Sequence, residues 1–228
     1  MEPVVPSDVT ICSPLWGDYW ERWGKPKWLP QMLALNPQPY EFLILSDKPV
    51  DGLSKPFRVV VEPEVCQRTW LGLCSKHVTT RLMMGCGMDD GMPPDALQDL
   101  VFGGDITFGP MIASDGQTYT PTQQGWDNFY DEPWYPLSGW WLCPPSLFDR
   151  IKVREVEAWD DWIYFLECKS AGIKPTFDTK VRNFYTHHAD QYSRNRPKNS
   201  IDIINQMKQI ARKGGIIPGT CWPPETVQ

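Results

Sequence analysis

Apolar residues in this chain gather into short runs separated by turn-forming residues. Val9 to Ser13 has the composition of a strand covered on both faces, and Pro14 closes it. Glu41 to Ser46 repeats the pattern and ends at Asp47-Lys48-Pro49 and Asp51-Gly52, which favour turns. Arg58 to Val61 predicts a third, short strand. Val78 to Met84 predicts a fourth, running into the Gly-rich stretch Gly85-Cys86-Gly87-Met88-Asp89-Asp90-Gly91. Between the first two strands, Lys27 to Leu35 places Trp28, Met32 and Leu35 on one helical face, and Asn36-Pro37 stops it. Pro94 to Leu100 resembles a short helix.

The pattern changes after residue 100. Gly103 to Pro136 is rich in Gly, Pro, Thr and aromatics and predicts loops and edge strands. Gly139 to Cys143 is strand-like, and Pro144-Pro145 opens a short helix to Ile151. Asp160 to Ala171 is the clearest helix of this half, with two acids at its start and Gly172 placed to cap its end. Ile173 to Phe177 and Val181 to Tyr185 predict short strands. A last amphipathic helix begins at Asn199 or Ser200, with Ile203, Ile204, Met207, Ile210 and Ala211 inward.

Alternating strands and helices predict an α/β fold with a mostly parallel sheet. Ligands of such sheets bind beyond the carboxyl ends of the strands. That rule places Asp47 and the turn Asp89-Asp90 at one shared crevice. The length of 228 residues suits one domain, divided here into 1–198 and a C-terminal amphipathic helix with a Pro-rich tail over 199–228.

Composition adds two points. Twelve Trp and 23 Pro are both high, and indole stacks on flat ligands such as bases and sugars. The net charge of −6 argues against a globally basic nucleic-acid binder. Positive charge gathers late, at Lys180, Arg182, Arg194, Arg196, Lys198, Lys208, Arg212 and Lys213, and suggests a basic edge. Seven cysteines without zinc spacing, no signal peptide and no membrane-length apolar run predict a cytoplasmic protein that does not enter a membrane.

Four features can carry chemistry. Asp89-Asp90 in a Gly-rich turn can hold a hard divalent cation, as well as serving as an ordinary acidic turn. Asp160-Asp161, between Trp159 and Trp162, can supply a general base as well as a helix cap. His187-His188 follows a strand and can bind Mn²⁺. Asp47 can accept a hydrogen bond from a base edge or a sugar hydroxyl, besides opening a turn.

The order of these features resembles nucleotide-sugar glycosyltransferases of the glycosyltransferase A fold, most like family 2. Phe42 to Asp47 is similar to that family's second strand and its base-contacting Asp. Thr79-Thr80-Arg81-Leu82, Asp89-Asp90 and Pro94 to Leu97 resemble its metal-binding region. Ser138 to Trp141, Leu147-Phe148, Trp159 to Trp162 and Ala171-Gly172 resemble its acceptor strand and its acid-headed helix.

The resemblance implies a single Rossmann-like domain that moves a sugar from a nucleoside-diphosphate sugar, UDP foremost, to a hydroxyl acceptor. The first strand, with Pro14, and Asp47 would hold the nucleoside. Asp89 and Asp90, with His187 or His188, would bind Mn²⁺ or Mg²⁺. Arg81 would add positive charge against the phosphates. Asp161 would be the base, with Asp160 its alternate, and Trp140, Trp141 and Trp159 would line the acceptor site, at least one of them with a core role.

For the acceptor, the basic C-terminal segment and the Trp cluster suggest the hydroxymethyl group of a modified pyrimidine in phage DNA, with a saccharide close behind. Rival readings are a nucleotidyltransferase and a non-enzymatic Trp-rich module for carbohydrate or nucleic acid. Pro14-Leu15-Trp16-Gly17 stands where a nucleotidyltransferase carries its phosphate loop, which speaks against that class.

Overall fold

The computed structural model describes residues 1–66, 69–132, 137, 139–151, 153–155, 160–188, 200–215 and 220–222, with the backbone alone at 153–155, 160–161, 200 and 220–222. In chain order the strands are β1 (Glu2–Pro3), β2 (Val9–Leu15), β3 (Glu41–Ser46), β4 (Phe57–Val61), β5 (Leu82–Gly85), β6 (Val101–Phe102), β7 (Ile106–Gly109), β8 (Met111–Ala113), β9 (Thr118–Tyr119), β10 (Trp140–Cys143), β11 (Val153–Glu155), β12 (Pro175–Phe177), β13 (Asn183–Tyr185) and β14 (Thr220–Trp222). The α-helices are α1 (Leu29–Leu33), α2 (Trp70–His77), α3 (Gln123–Asp127), α4 (Leu147–Arg150), α5 (Asp160–Ser170) and α6 (Ser200–Arg212). A π-helical segment, Trp20–Trp28, runs directly into α1.

Seven strands form the central sheet in the order β12-β7-β10-β5-β2-β3-β4. β5, β2, β3 and β4 are parallel, as are β7 and β12, and β10 runs antiparallel between the two groups. All strands but β10 therefore end at the same edge. Side chains of β2 and β3 alternate between two buried clusters. Cys12, Leu43 and Leu45 face one; Ile11, Phe42 and Ile44 face the other. The first cluster holds residues of α2, α4, α5 and α6, and the second holds Trp20, Trp28 and Met32 of the π-helix and α1. Helical cover on both faces is why these strands are continuously apolar.

Gly172 ends α5 at φ +74°, a backbone that side chains resist. Its N–H donates to Lys169 O and that of Ile173 to Cys168 O, both at 3.0 Å, a Schellman closure. The chain then enters β12. Lys174 exchanges hydrogen bonds with Asp105, just before β7, while Phe165 packs edge-on against Phe108 near the end of β7. α5 thus runs opposite to β7 and β12, and its first turn lies toward the carboxyl edge of the sheet.

Several boundaries differ from those the pattern predicts. β2 continues through Pro14 to Leu15. Cys12 O accepts from Cys86 N on the β5 side, and Pro14, two residues on, faces that same side where β5 has ended, so its missing N–H leaves no ladder bond unmade. Val78 to Arg81 is not strand, because α2 occupies Trp70–His77 and β5 starts at Leu82. Pro94 to Leu100 is a series of turns. β7 sits inside the sheet, not at its edge, and the helix expected at Lys27 begins at Trp20.

Candidate functional site

The carboxyl edge of the sheet brings together segments distant in sequence. β2 leads into Trp16-Gly17 and β3 into Asp47. The Gly17 N–H donates to Asp47 Oδ2 at 2.9 Å, and Lys48 Nζ donates to Gly17 O at 2.6 Å. A cleft of about 340 Å³ opens beside them, lined in part by Gly17, Trp20, Lys25, Lys48 and Asp51. Asp47 Oδ1 is buried without a hydrogen-bond partner in the protein. Pro14 is buried within β2, so Gly17, not Pro14, forms the mouth of that strand.

β5 ends in the acidic turn. Asp89 Oδ1 and Asp90 Oδ2 lie 2.8 and 2.9 Å from the point where a Cβ on Gly87 would stand, so both oxygens converge over bare backbone. Only glycine permits that approach. Asp89 Oδ2 accepts from His188 Nε2 at 2.7 Å, and Asp90 Oδ1 accepts from the Thr186 N–H at 3.1 Å. The two segments are also stitched by paired backbone bonds between Gly91 and Phe184. Burial, then the neighbouring Asp89 charge, pushes the Asp90 carboxyl up to about 8.

The π-helical segment closes this side. Tyr19, Trp23 and Lys27, four residues apart, lie along one stripe. Trp23 packs 5.0 Å from the His188 ring and Tyr19 6.3 Å from it, while Trp16 meets Tyr19 at 5.8 Å. An unbroken aromatic path thus joins the Asp47 mouth to the acidic turn. Lys27 Nζ donates to Asp89 O at 2.9 Å and to Thr186 Oγ1, and it lies 5.6 Å from the Trp23 ring centroid. Trp23 Nε1 and His188 Nδ1 are buried without hydrogen-bond partners, like Asp47 Oδ1. Trp23 and His188 lie side by side, so two of these unpartnered atoms fall next to the acidic turn. The stripe was missing from the sequence reading, although the spacing of four from Tyr19 to Lys27 was visible; Pro26 within the run concealed the helix.

Other expected residues fall elsewhere. Arg81 precedes β5 at the opposite edge, where it pairs with Glu2 and, at 3.6 Å, with Asp8, so it does not reach the acidic turn. His187 turns away from the acids: its N–H donates to Ser114 Oγ, and its Nε2 stands 3.5 Å from Asp115. Trp140 is 1% exposed, donates from Nε1 to Lys180 O and carries the Arg182 guanidinium over its ring, so it is core. Trp141 is half-buried, and its indole and that of Trp70 cover Gly85, where a Cβ would meet them at 2.7 and 2.9 Å. Asp160 and Asp161 open α5, at the near end; their side chains, and all of Trp159, lie outside the described residues.

The late basic residues are largely committed. Lys180 pairs with Asp95 at 2.8 Å, Arg212 with Asp131, and Lys208 donates to Glu132 O. Arg182 is buried against Asp178. Arg194, Arg196 and Lys198 lie outside the described residues.

Among the described residues no group of three or more His, Cys, Asp or Glu side chains is arranged to hold a metal ion, and no helix is long and apolar enough to cross a membrane. The donor chemistry of the acidic turn nevertheless fits a hard divalent ion. Mg²⁺ and Mn²⁺ are commonly held by one or two carboxylates plus phosphate oxygens rather than by an all-protein cage, and two carboxylate oxygens converge over Gly87.

No protein-family model matches the chain, and no curated protein matches it. Solved structures do. The 1–349 segment of S. aureus TarS in complex with UDP-GlcNAc is similar with a TM-score of 0.63 at 10% identity, over 89% of this chain and 66% of that one. A longer S. aureus TarS chain is similar with a TM-score of 0.58 at 11% identity, over 78% of this chain and 36% of that one. The mannosyltransferase PcManGT from Pyrobaculum calidifontis, in complex with GDP-Man and Mn²⁺, is similar with a TM-score of 0.52 at 14% identity, over 95% of this chain and 68% of that one. This chain therefore spans about two thirds of the shorter TarS chain and about one third of the longer. From its parallel-sheet topology and these likenesses, the chain has the glycosyltransferase A-like fold of nucleotide-sugar glycosyltransferases.

Proposed function

We propose that the protein is a divalent-metal-dependent glycosyltransferase that moves a sugar from a nucleoside-diphosphate sugar to a hydroxyl acceptor. The observation that carries this reading is the pair Asp89 and Asp90, converging over Gly87 at the carboxyl end of β5 and tied to His188, in a chain with this fold. Neighbours of the same fold were crystallised with UDP-GlcNAc, UDP, and GDP-Man with Mn²⁺.

Asp47, with its unpartnered Oδ1, accepts from the base or ribose of the nucleotide at the mouth of β2 and β3. Asp89 and Asp90 would hold the divalent ion, with His188 fixing the Asp89 carboxylate. A bound Mn²⁺ or Mg²⁺ supplies Lewis-acid stabilisation of the departing diphosphate. Asp161, in the first turn of α5, takes the proton of the acceptor hydroxyl as its oxygen bonds to the anomeric carbon and the bond to the diphosphate breaks. A single in-line displacement, for which one carboxylate base suffices, inverts the anomeric configuration. Asp160, the alternate base, begins the same turn.

Trp141 and Trp70, tilted 36° to each other over Gly85, form an aromatic platform for the acceptor. A saccharide suits that platform. A phage DNA acceptor would instead need a phosphate-tracking basic edge; of its expected members Arg182 is buried against Asp178, while Lys180 and Arg212 sit in exposed pairs with Asp95 and Asp131.

The test is a panel of UDP- and GDP-sugars incubated with the protein and Mn²⁺, with release of nucleoside diphosphate measured with and without acceptor saccharides. One donor is expected to be turned over, and EDTA is expected to abolish release. A Trp-rich binding module would release nothing from any donor, and that result would overturn the reading.

A further inference from the structure

We propose that Lys27 is a direct cationic ligand of the diphosphate, placed beside the acidic turn by the π-helical segment. This rests on the nucleotide-sugar reading above and adds a residue to it. The ammonium group lies where the turn carrying Asp89-Asp90 meets the segment carrying Thr186 and His188. Its acceptors there, the Asp89 carbonyl and the Thr186 hydroxyl, are both neutral. Among the described residues no carboxylate comes within ion-pair distance of it, in contrast to Lys25 and Lys180, which both have such partners. The side chain is half-buried, with the face of Trp23 at its flank. Its field reaches the Asp90 carboxyl, which it favours in the charged form, but no ion pair forms, so the ammonium held by neutral oxygens in a partly desolvated place can also act on an incoming anion.

The segment's geometry supports the assignment. A π-helix of nine residues is rare, and π turns recur at functional sites. Here the segment turns Tyr19, Trp23 and Lys27 toward the same wall. Tyr19 and Trp23 pack on His188, which braces Asp89, so Lys27 and the two carboxylates belong to one rigid unit. The arrangement gives a diphosphate two kinds of positive charge: the divalent ion at the carboxylates and a fixed ammonium beside it.

A tether would look different from a ligand. Lys27→Gln keeps a donor for the carbonyl and the hydroxyl while removing the charge, and Lys27→Arg keeps the charge. The probes are UDP, GDP, inorganic pyrophosphate and Mn²⁺ alone, titrated by calorimetry, with Mn²⁺ and separately with EDTA. The expected result is that Lys27→Gln weakens the nucleoside diphosphate by about 10-fold or more, as for a lost charged hydrogen bond, and does so in EDTA as well as in Mn²⁺. Affinity for Mn²⁺ alone is expected to stay the same or tighten, because a nearby positive charge has gone. Lys27→Arg should restore most of the loss. A fall in Mn²⁺ affinity parallel to the nucleotide, or nucleotide affinity within 2-fold of the parent, overturns the assignment. If the parent protein binds pyrophosphate through Lys27 but neither nucleotide, the nucleotide-sugar reading fails and Lys27 stands. If it binds none of the three, both fail.

Discussion

Asp161→Asn is expected to lower turnover about 100-fold or more while leaving nucleotide affinity unchanged, the usual cost of removing a general base. α5 runs opposite to β7 and β12, so its first turn lies toward the edge where Gly17, Asp47 and the acidic turn also lie. Asparagine keeps the shape and the hydrogen-bonding capacity of the side chain at a helix N-terminus, but it cannot take up a proton from the acceptor. The loss should therefore fall on kcat, with the dissociation constant for UDP or GDP within 2-fold of the parent. Asp160→Asn, the adjacent control, should lower kcat less than 10-fold. Steady-state kinetics with the donor found in the sugar-nucleotide panel gives both numbers. Undiminished kcat in Asp161→Asn removes the base assignment.

Arg182→Met should produce the largest loss of stability. The guanidinium is 1% exposed and bonded twice to Asp178 Oδ2, at 3.1 Å from Nε and 2.9 Å from Nη2. It also donates to the carbonyls of Ala96, Gln98 and Asp99 and lies 5.4 Å from the Trp140 ring centroid. One side chain thus fastens the turns after the acidic pair to the crossing between β12 and β13. Methionine fills much of the volume but removes the partners of Asp178 Oδ2 and of the Ala96 and Asp99 carbonyls, while Asp178 Oδ1 keeps the Thr179 and Lys180 N–H groups. Breaking a buried pair from one side costs about 3–5 kcal/mol, roughly 10 °C in Tm for a chain of this size. Urea unfolding measures the free energy, and a change below about 1 kcal/mol would mean that Asp178 finds water or another partner. The double variant Arg182→Met with Asp178→Leu should recover much of the loss, since both charges are then gone.

The parallel half of the fold was legible because its strands are covered on both faces. The unbroken apolar runs of β2 and β3 announce themselves, and the turn after each marks the carboxyl edge. Asp47 follows β3 and Asp89-Asp90 follow β5 on that edge, as the strand order expects. Gly172 identified the end of α5 through its need for a positive φ. Arg81 was misplaced for a simple reason. Starting the fourth strand at Val78 put Arg81 within it, whereas β5 starts one residue after Arg81, which leaves the side chain at the far edge. Trp140 and Trp141 are neighbours in sequence but face opposite sides of the sheet, so one is core and one half-exposed. Composition alone offers no way to tell which.

What stayed hidden was tertiary. The stripe Tyr19-Trp23-Lys27 depends on a π-helical winding that carries Pro26 inside it, and local propensity argues against any helix there. His188 and His187 are equivalent as sequence. Only the bonds between Gly91 and Phe184 bring the first beside Asp89 and leave the second against Asp115. Of the late basic residues, Lys180, Arg182 and Arg212 pair with Asp95, Asp178 and Asp131, partners that adjacency in the sequence does not reveal.

The most direct measurement is calorimetric titration of nucleoside diphosphate into the parent protein and into Asp89→Ala, each in Mn²⁺ and in EDTA. The parent should bind about 10-fold or more tightly with Mn²⁺ than without, and Asp89→Ala should show the same weak affinity in both buffers. Equal affinity with and without the ion in the parent would contradict the assignment of the acidic turn.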